Sequence, residues 1–152
     1  MGRIVVINGP NLNLLGVREP GVYGSVSLEQ IQQEMMAMAE RYGVGLEFYQ
    51  SNHEGELIDI IQSCRQEADC IIINAGGLTH YSVSIHDALR AVEIPVIEVH
   101  MTNIYAREDF RHRSLISPVA IGGIFGFGTT SYYLALQAAL DVLQISGGKN
   151  ES

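Results

Sequence analysis

The chain has 152 residues, of which 47% are hydrophobic and 17% charged, and its net charge is −8. That length suits one domain with a real core, and the acidic balance speaks against a nucleic-acid or anionic-membrane surface. Charge this sparse, against about 25% in ordinary domains, also predicts that part of the surface is covered by further copies of the chain.

Strand and helix patterns alternate from the start. Arg3–Ile7 reads as a buried strand, and Ser27–Tyr42 as a helix opened by the capping box Ser27-Leu28-Glu29-Gln30. Gly45–Gln50 reads as a strand, and Glu54–Glu67 as a helix with Leu57, Ile58, Ile61 and Cys64 on one face. Cys70–Ile73 is a near-continuous apolar strand of the kind a two-sided parallel sheet demands. Ser82–Val92 is a helix, Val96–Val99 a strand, and Val119–Phe125 a glycine-containing strand. The last helix is expected over Thr129–Gln144, with Leu134, Ala138, Val142 and Ile145 as its apolar face. Five strands alternating with helices predict an α/β fold, a single doubly wound, five-stranded parallel sheet. Residues 1–145 form the expected single catalytic domain, and 146–152 a polar C-terminal tail.

The connection from Asn8 to Val26 is 19 residues long, where strand-to-helix loops usually run to about six. It carries Leu12, Leu14, Leu15 and Val17 as expected apolar anchors, and Arg18 and Tyr23 among Gly16, Pro20, Gly21 and Gly24. Hinge glycines, anchors, a cation and an ionisable phenol are the parts of an active-site lid. A plain surface loop with a stray Arg and Tyr is the alternative.

Every strand also ends in small or polar residues. The ends are Asn8 with Asn11, Ser51-Asn52-His53, Asn74 leading to Thr79-His80, His100-Met101-Thr102-Asn103, and Gly126-Phe127-Gly128. Ligands of open parallel sheets bind outside these carboxyl ends, so the edge predicts a site that reads hydroxyls and carbonyls. No glycine-rich phosphate loop follows the first strand, and the five histidines lack metal-ligand spacing. The only lysine, Lys149, lies in the tail, which removes imine chemistry and a phosphate-loop lysine together. Cys64 and Cys70 fit no metal or redox spacing, and the start lacks the pattern of a secretory leader, so a reduced cytoplasmic setting is expected. Ser114–Leu140 carries no charge, but Pro118 and four glycines break it into shorter elements rather than a membrane span. The chemistry is left to Tyr, His, Arg and Asn, with no cofactor and no metal.

Three motifs, I-N-G-P-N with L-G-V-R-E-P-G-V-Y-G, N-A-G-G-L-T-H-Y-S, and E-V-H-M-T-N-I-Y-A-R-E-D-F-R-H, resemble the type II 3-dehydroquinate dehydratases. The resemblance runs from about Arg3 to Leu143. It implies a flavodoxin-like fold, a homo-oligomer of twelve subunits built from trimers, and a place in the shikimate or quinate pathways. It implies reversible anti elimination of water from 3-dehydroquinate, without cofactor or metal. By the same resemblance Tyr23 matches the base, Arg18 the lid arginine beside it, and His100 the general acid. Asn11 matches the residue that supports the enolate through a bound water. Asn74, His80 and Arg111 match substrate-binding residues, and Met101 and Thr102 the turn whose N–H groups hold the substrate carboxylate. Asp87 matches a residue that reaches a neighbouring subunit's site. His86 and Arg113 stand where the family often has Arg and His.

The residues support this chemistry on their own terms. Lowering a phenol from ~10 to ~7 takes about 4 kcal/mol. An exposed Arg pair gives ~1 kcal/mol at most, but a dehydrated contact at ~4 Å approaches ~4 kcal/mol. Arg18 therefore activates Tyr23 only in a closed lid. Glu98, two residues before His100 and on the same strand face, is placed to orient or charge it. Arg107 reads as a salt-bridge partner of Glu108 or Asp109. A flavin-binding electron carrier and a catalytically silent relative on the same fold remain the alternatives.

Overall fold

The computed structural model describes residues 2–17, 21, 25–146 and 149–150. Arg18 and Tyr23 lie outside the described residues. Strands β1 (Arg3–Asn8), β2 (Gly45–Gln50), β3 (Cys70–Asn74), β4 (Val96–His100) and β5 (Gly122–Phe125) form one parallel sheet in the order β2-β1-β3-β4-β5. The helices are α1 (Leu28–Arg41), α2 (Glu54–Ser63), α3 (Val83–Val92) and α4 (Thr130–Val142).

Strand side chains alternate between two apolar layers. Ile4, Val6, Cys70, Ile72, Ile97 and Val99 pack against α1 and α4, while Val5, Ile7, Ile71, Ile73 and Val96 pack against α2 and α3. Each fully buried aliphatic side chain contributes about 1.5–3 kcal/mol relative to exposure, so both sheet faces demand cover. That cover is what makes the sheet doubly wound. Beyond α4, Ile145–Ser146 pairs antiparallel with Lys149–Asn150.

Local signals set the helix starts. Ser27 accepts from Gln30 N at 3.2 Å while Gln30 Oε1 accepts from Ser27 N at 2.8 Å, the expected capping box. Ser82 caps α3 by accepting from Ile85 N at 3.0 Å. Two element boundaries differ from the sequence reading by more than two residues. Helix α2 stops at Ser63 because Glu67 N and Ala68 N turn back onto Cys64 O and Gln66 takes a left-handed φ of 62°. Strand β5 begins only at Gly122, since Ser117–Val119 forms a tight turn with Pro118 in its first positions.

The apolar face assigned to α4 is corrected. Ile145 is buried and Ala138 packs against the core as expected, but Leu134 and Val142 are exposed, and the residues buried on the helix are Ser131, Tyr132, Ala135, Leu136, Ala139 and Leu140. The helix is apolar nearly all round, so polarity does not mark its outer side. Packing selects the face with small Ala135 and Ala139 and with the one phenol that finds partners beneath it. Of the loop anchors, Leu12 and Leu15 are buried, whereas Leu14 and Val17 are exposed.

Candidate active site

Strand order reverses between β1 and β3, so the chain leaves these two neighbours in opposite directions and opens a crevice at their carboxyl ends. Two glycines let the crevice walls meet. A Cβ on Gly9 would lie 2.6 Å from the Ala75 carbonyl carbon, and Gly76 holds a φ of 59° with Pro10 O against it. Gly9 N donates to Asn74 O at 2.7 Å, which ties the two strand ends together. Asn11 adopts a left-handed φ of 72°, which Asn tolerates, and its N–H donates to Asn52 Oδ1 at 2.9 Å.

A cavity of about 110 Å³ sits at this point, reached from the ends of β1, β3 and β4. Its wall includes Asn11, Asn74, His80, His100, Met101, Thr102 and Arg111, all expected from the sequence. Asp87 does not line it; the residue is exposed on α3. Arg107 also lines the cavity. Its Nε is 3.8 Å from Glu108, as its salt-bridge reading requires, but its Nη1 also donates to Thr102 Oγ1 at 3.3 Å. Arg111 Nε donates to the same Glu108 carboxylate at 2.8 Å. Among the described residues the wall holds two guanidinium groups and no carboxylate, a local anion site in an acidic chain.

The two wall histidines stack with ring centroids 6.3 Å apart. His80 Nδ1 lies 2.9 Å from Arg113 O. A carbonyl only accepts, so Nδ1 carries the hydrogen and Nε2 is left as an acceptor. Burial lowers the His80 pKa below its usual value; the Arg113 carbonyl and the Glu98 charge oppose this, the charges of His100 and Arg111 add to it, and the net direction favours the neutral ring. His100 has the opposite arrangement. Its Nε2 donates to Glu98 Oε2 at 2.6 Å, so any proton it hands on comes from Nδ1. Burial pushes the Glu98 carboxyl up. Hydrogen bonds from His100, Ser117 and Ser114, with the His100 charge, outweigh that and hold it below its ordinary value.

Asn74 is held from behind by a buried relay that sequence reasoning missed. Its Nδ2 donates to Tyr132 Oη at 2.9 Å, Tyr132 donates to Asn8 Oδ1 at 2.7 Å, and Gly76 N donates to Asn74 Oδ1 at 3.1 Å. Burial drives the Tyr132 phenol far above its usual range, so it is a structural hydroxyl and not a base. The available sequence signal was a pair of adjacent phenols, Tyr132 and Tyr133, at the start of a largely apolar helix.

A family model for class II dehydroquinases matches residues 2–140. The chain belongs to the class II dehydroquinase family. The 3-dehydroquinate dehydratase of Acaryochloris marina is 58% identical over 141 residues, covering 93% of this chain and 95% of the relative. That of Caldicellulosiruptor bescii is 54% identical over 144 residues, covering 94% and 99%. Among solved structures, the type II dehydroquinase of Butyrivibrio crossotus superposes with a TM-score of 0.89 at 44% identity, covering 91% of this chain and 97% of that one. The family's fold is thus the doubly wound sheet described above, with the crevice at the β1/β3 reversal.

Proposed function

We propose that the chain is a 3-dehydroquinate dehydratase that eliminates water reversibly, in the anti sense and through an enolate, to give 3-dehydroshikimate. The observation that carries the reading is the placement of His100 over ionised Glu98 beside neutral His80, in a cation-lined crevice of a class II dehydroquinase. The substrate is an anion with hydroxyl groups. Arg107 and Arg111 attract it, and the backbone N–H groups at Met101 and Thr102 receive its carboxylate without a counter-charge. His80 Nε2 and Asn74 read hydroxyls.

Tyr23, activated by Arg18 under a closed lid, takes the proton next to the ketone. Asn11 supports the enolate oxygen through a water. The C1–O bond then breaks as His100 gives its Nδ1 proton to the departing hydroxyl, which leaves as water. One proton is gained by Tyr23 and one lost by His100, so the enzyme is restored when a proton passes back between them. All these groups are side chains, and no step calls for a cofactor or metal. Every described wall residue of the cavity lies between Pro10 and Arg111, which fits a catalytic domain over 1–145 with 146–152 as an appended tail.

The working form is a homo-oligomer, a dodecamer of trimers. Support comes from the apolar strip that β5 and α4 leave open, where Ile121, Phe125, Phe127 and Leu134 are exposed on a chain poor in charge. Asp87, exposed and away from its own cavity, reaches a neighbour's site in that assembly. Among the described residues no helix is long and apolar enough to cross a membrane. The enzyme acts in the cytoplasm, in the shikimate route to aromatic amino acids or in quinate breakdown. A flavin carrier is not favoured by family matches that are dehydroquinases.

Incubation with 3-dehydroquinate is expected to raise the ultraviolet absorbance of a conjugated enone. Borohydride added with substrate should neither trap an adduct nor stop turnover, because Lys149 is the only lysine and belongs to the C-terminal tail. Absence of the enone, or a reduced covalent adduct, overturns the reading.

A further inference from the structure

Glu98 is 4% exposed, yet both of its carboxylate oxygens have donors. Oε2 accepts from His100 Nε2 at 2.6 Å and from the Ser114 hydroxyl at 2.7 Å. Oε1 accepts from the Ser117 hydroxyl in a short contact. The Ser114 oxygen is itself fixed, because Ile116 N and Ser117 N both donate to it at 3.0 Å. Its single hydroxyl hydrogen is left for Glu98. The same segment supplies Arg113 O to His80 Nδ1, and Leu115 N donates to Thr79 O at 2.8 Å. Five residues, 113–117, therefore hold both wall histidines while none of them lines the cavity.

We propose that Ser114 and Ser117 are positioning residues of the reaction: their hydroxyls clamp Glu98 as a carboxylate in register with His100, so that segment 113–117 sets the charge and aim of the proton donor. The inference rests on His100 being the acid. A buried carboxylate stays ionised only where donors replace the water it has lost. With Glu98 ionised, His100 is held through its Nε2–H, and Nδ1 is the nitrogen left for the reaction. With Glu98 protonated, that stabilisation is gone and the ring no longer has a fixed donor role. The titratable groups that act with the carboxylate are His100 on its own strand and His80 across the cavity. Ile73 and Gly123, its register partners on β3 and β5, carry no titratable side chain.

Removing a clamp hydroxyl raises the Glu98 pKa, so the acid limb of kcat moves to higher pH. Ser114→Ala is expected to lower kcat about tenfold, the scale of one charge-assisted hydrogen bond, with KM within about twofold. Ser117→Ala should move the same limb the same way by less, because water can reach that exposed position. Ser114→Thr keeps a hydroxyl and should restore the parent profile. Thermal stability supplies the second reading. Glu98 is depressed in the folded state, so the clamp stabilises above the unfolded carboxyl value and its effect fades as pH falls through the folded one. The stability gap between parent and Ser114→Ala should therefore close on acidification. If both Ala variants lose stability but keep the parent's acid limb, the serines are structural and the proposal fails. If the parent does not dehydrate 3-dehydroquinate, the functional reading fails and the stability gap alone judges the clamp; a gap independent of pH overturns it.

Discussion

Tyr23→Phe is expected to fold as the parent does and to lose about 100-fold or more in kcat, with substrate affinity partly kept. The variant removes one oxygen and barely alters bulk, and a positioned general base contributes at least ~100-fold. The described residues offer little to replace it. Tyr132, the other phenol close to Asn74, is locked between Asn8 and Asn74 and is driven far above its usual range by burial. His80 is the one neutral ring at the wall with a bare nitrogen, so a residual rate would come from its Nε2. A variant keeping more than ~10% of the parent rate shows that Tyr23 is not the base, and His80→Ala in that background then names the substitute.

His100→Ala should lower kcat by about 100-fold or more, since hydroxide departs poorly without a proton. The same change takes a donor from buried Glu98, where an unmet charged hydrogen bond costs on the order of 2–3 kcal/mol. Circular dichroism and the melting point must therefore accompany the kinetics. Ser114 and Ser117 still hold the carboxylate, so a folded, destabilised and inactive protein is expected. Added imidazole should enter the vacated space and restore part of the rate. His80→Ala and Asn74→Ala supply the contrast, because both residues are proposed to read hydroxyls and should act mainly on affinity. A folded His100→Ala protein with an unchanged rate overturns the acid assignment.

Much of this arrangement was readable from the chain because its causes are local. The capping box at Ser27 and the apolar run at Cys70–Ile73 announce their elements within a few residues. The alternation of elements then implies the crevice. Glu98 was readable as well, since a strand places residues two apart on one face. What escaped depended on distant partners. Tyr132 lies 58 residues from Asn74 and 124 from Asn8, and nothing near it in sequence says which way it points. Ser114 and Ser117 look like ordinary loop polar residues until the fold brings Glu98 beneath them. Helix α4 was turned the wrong way because both of its sides are apolar, and only packing chooses between them. Arg107 was read through its acidic neighbours alone, although the fold also aims it at Thr102. The roles of Tyr23 and Arg18 still rest on their motif and on the physics of a closed lid.

The stereochemical course of proton loss tests the account most directly. 3-Dehydroquinate is prepared with deuterium at either C2 position and converted by the parent enzyme, and the product is examined by mass. On the proposed assignment, Tyr23 as base and His100 as acid are to act from opposite sides of the reacting bond. The deuterium anti to the C1 hydroxyl should be lost to solvent, and its partner should remain in 3-dehydroshikimate. Retention of the anti deuterium with loss of the syn one would contradict the assignment of Tyr23 and His100 to opposite faces.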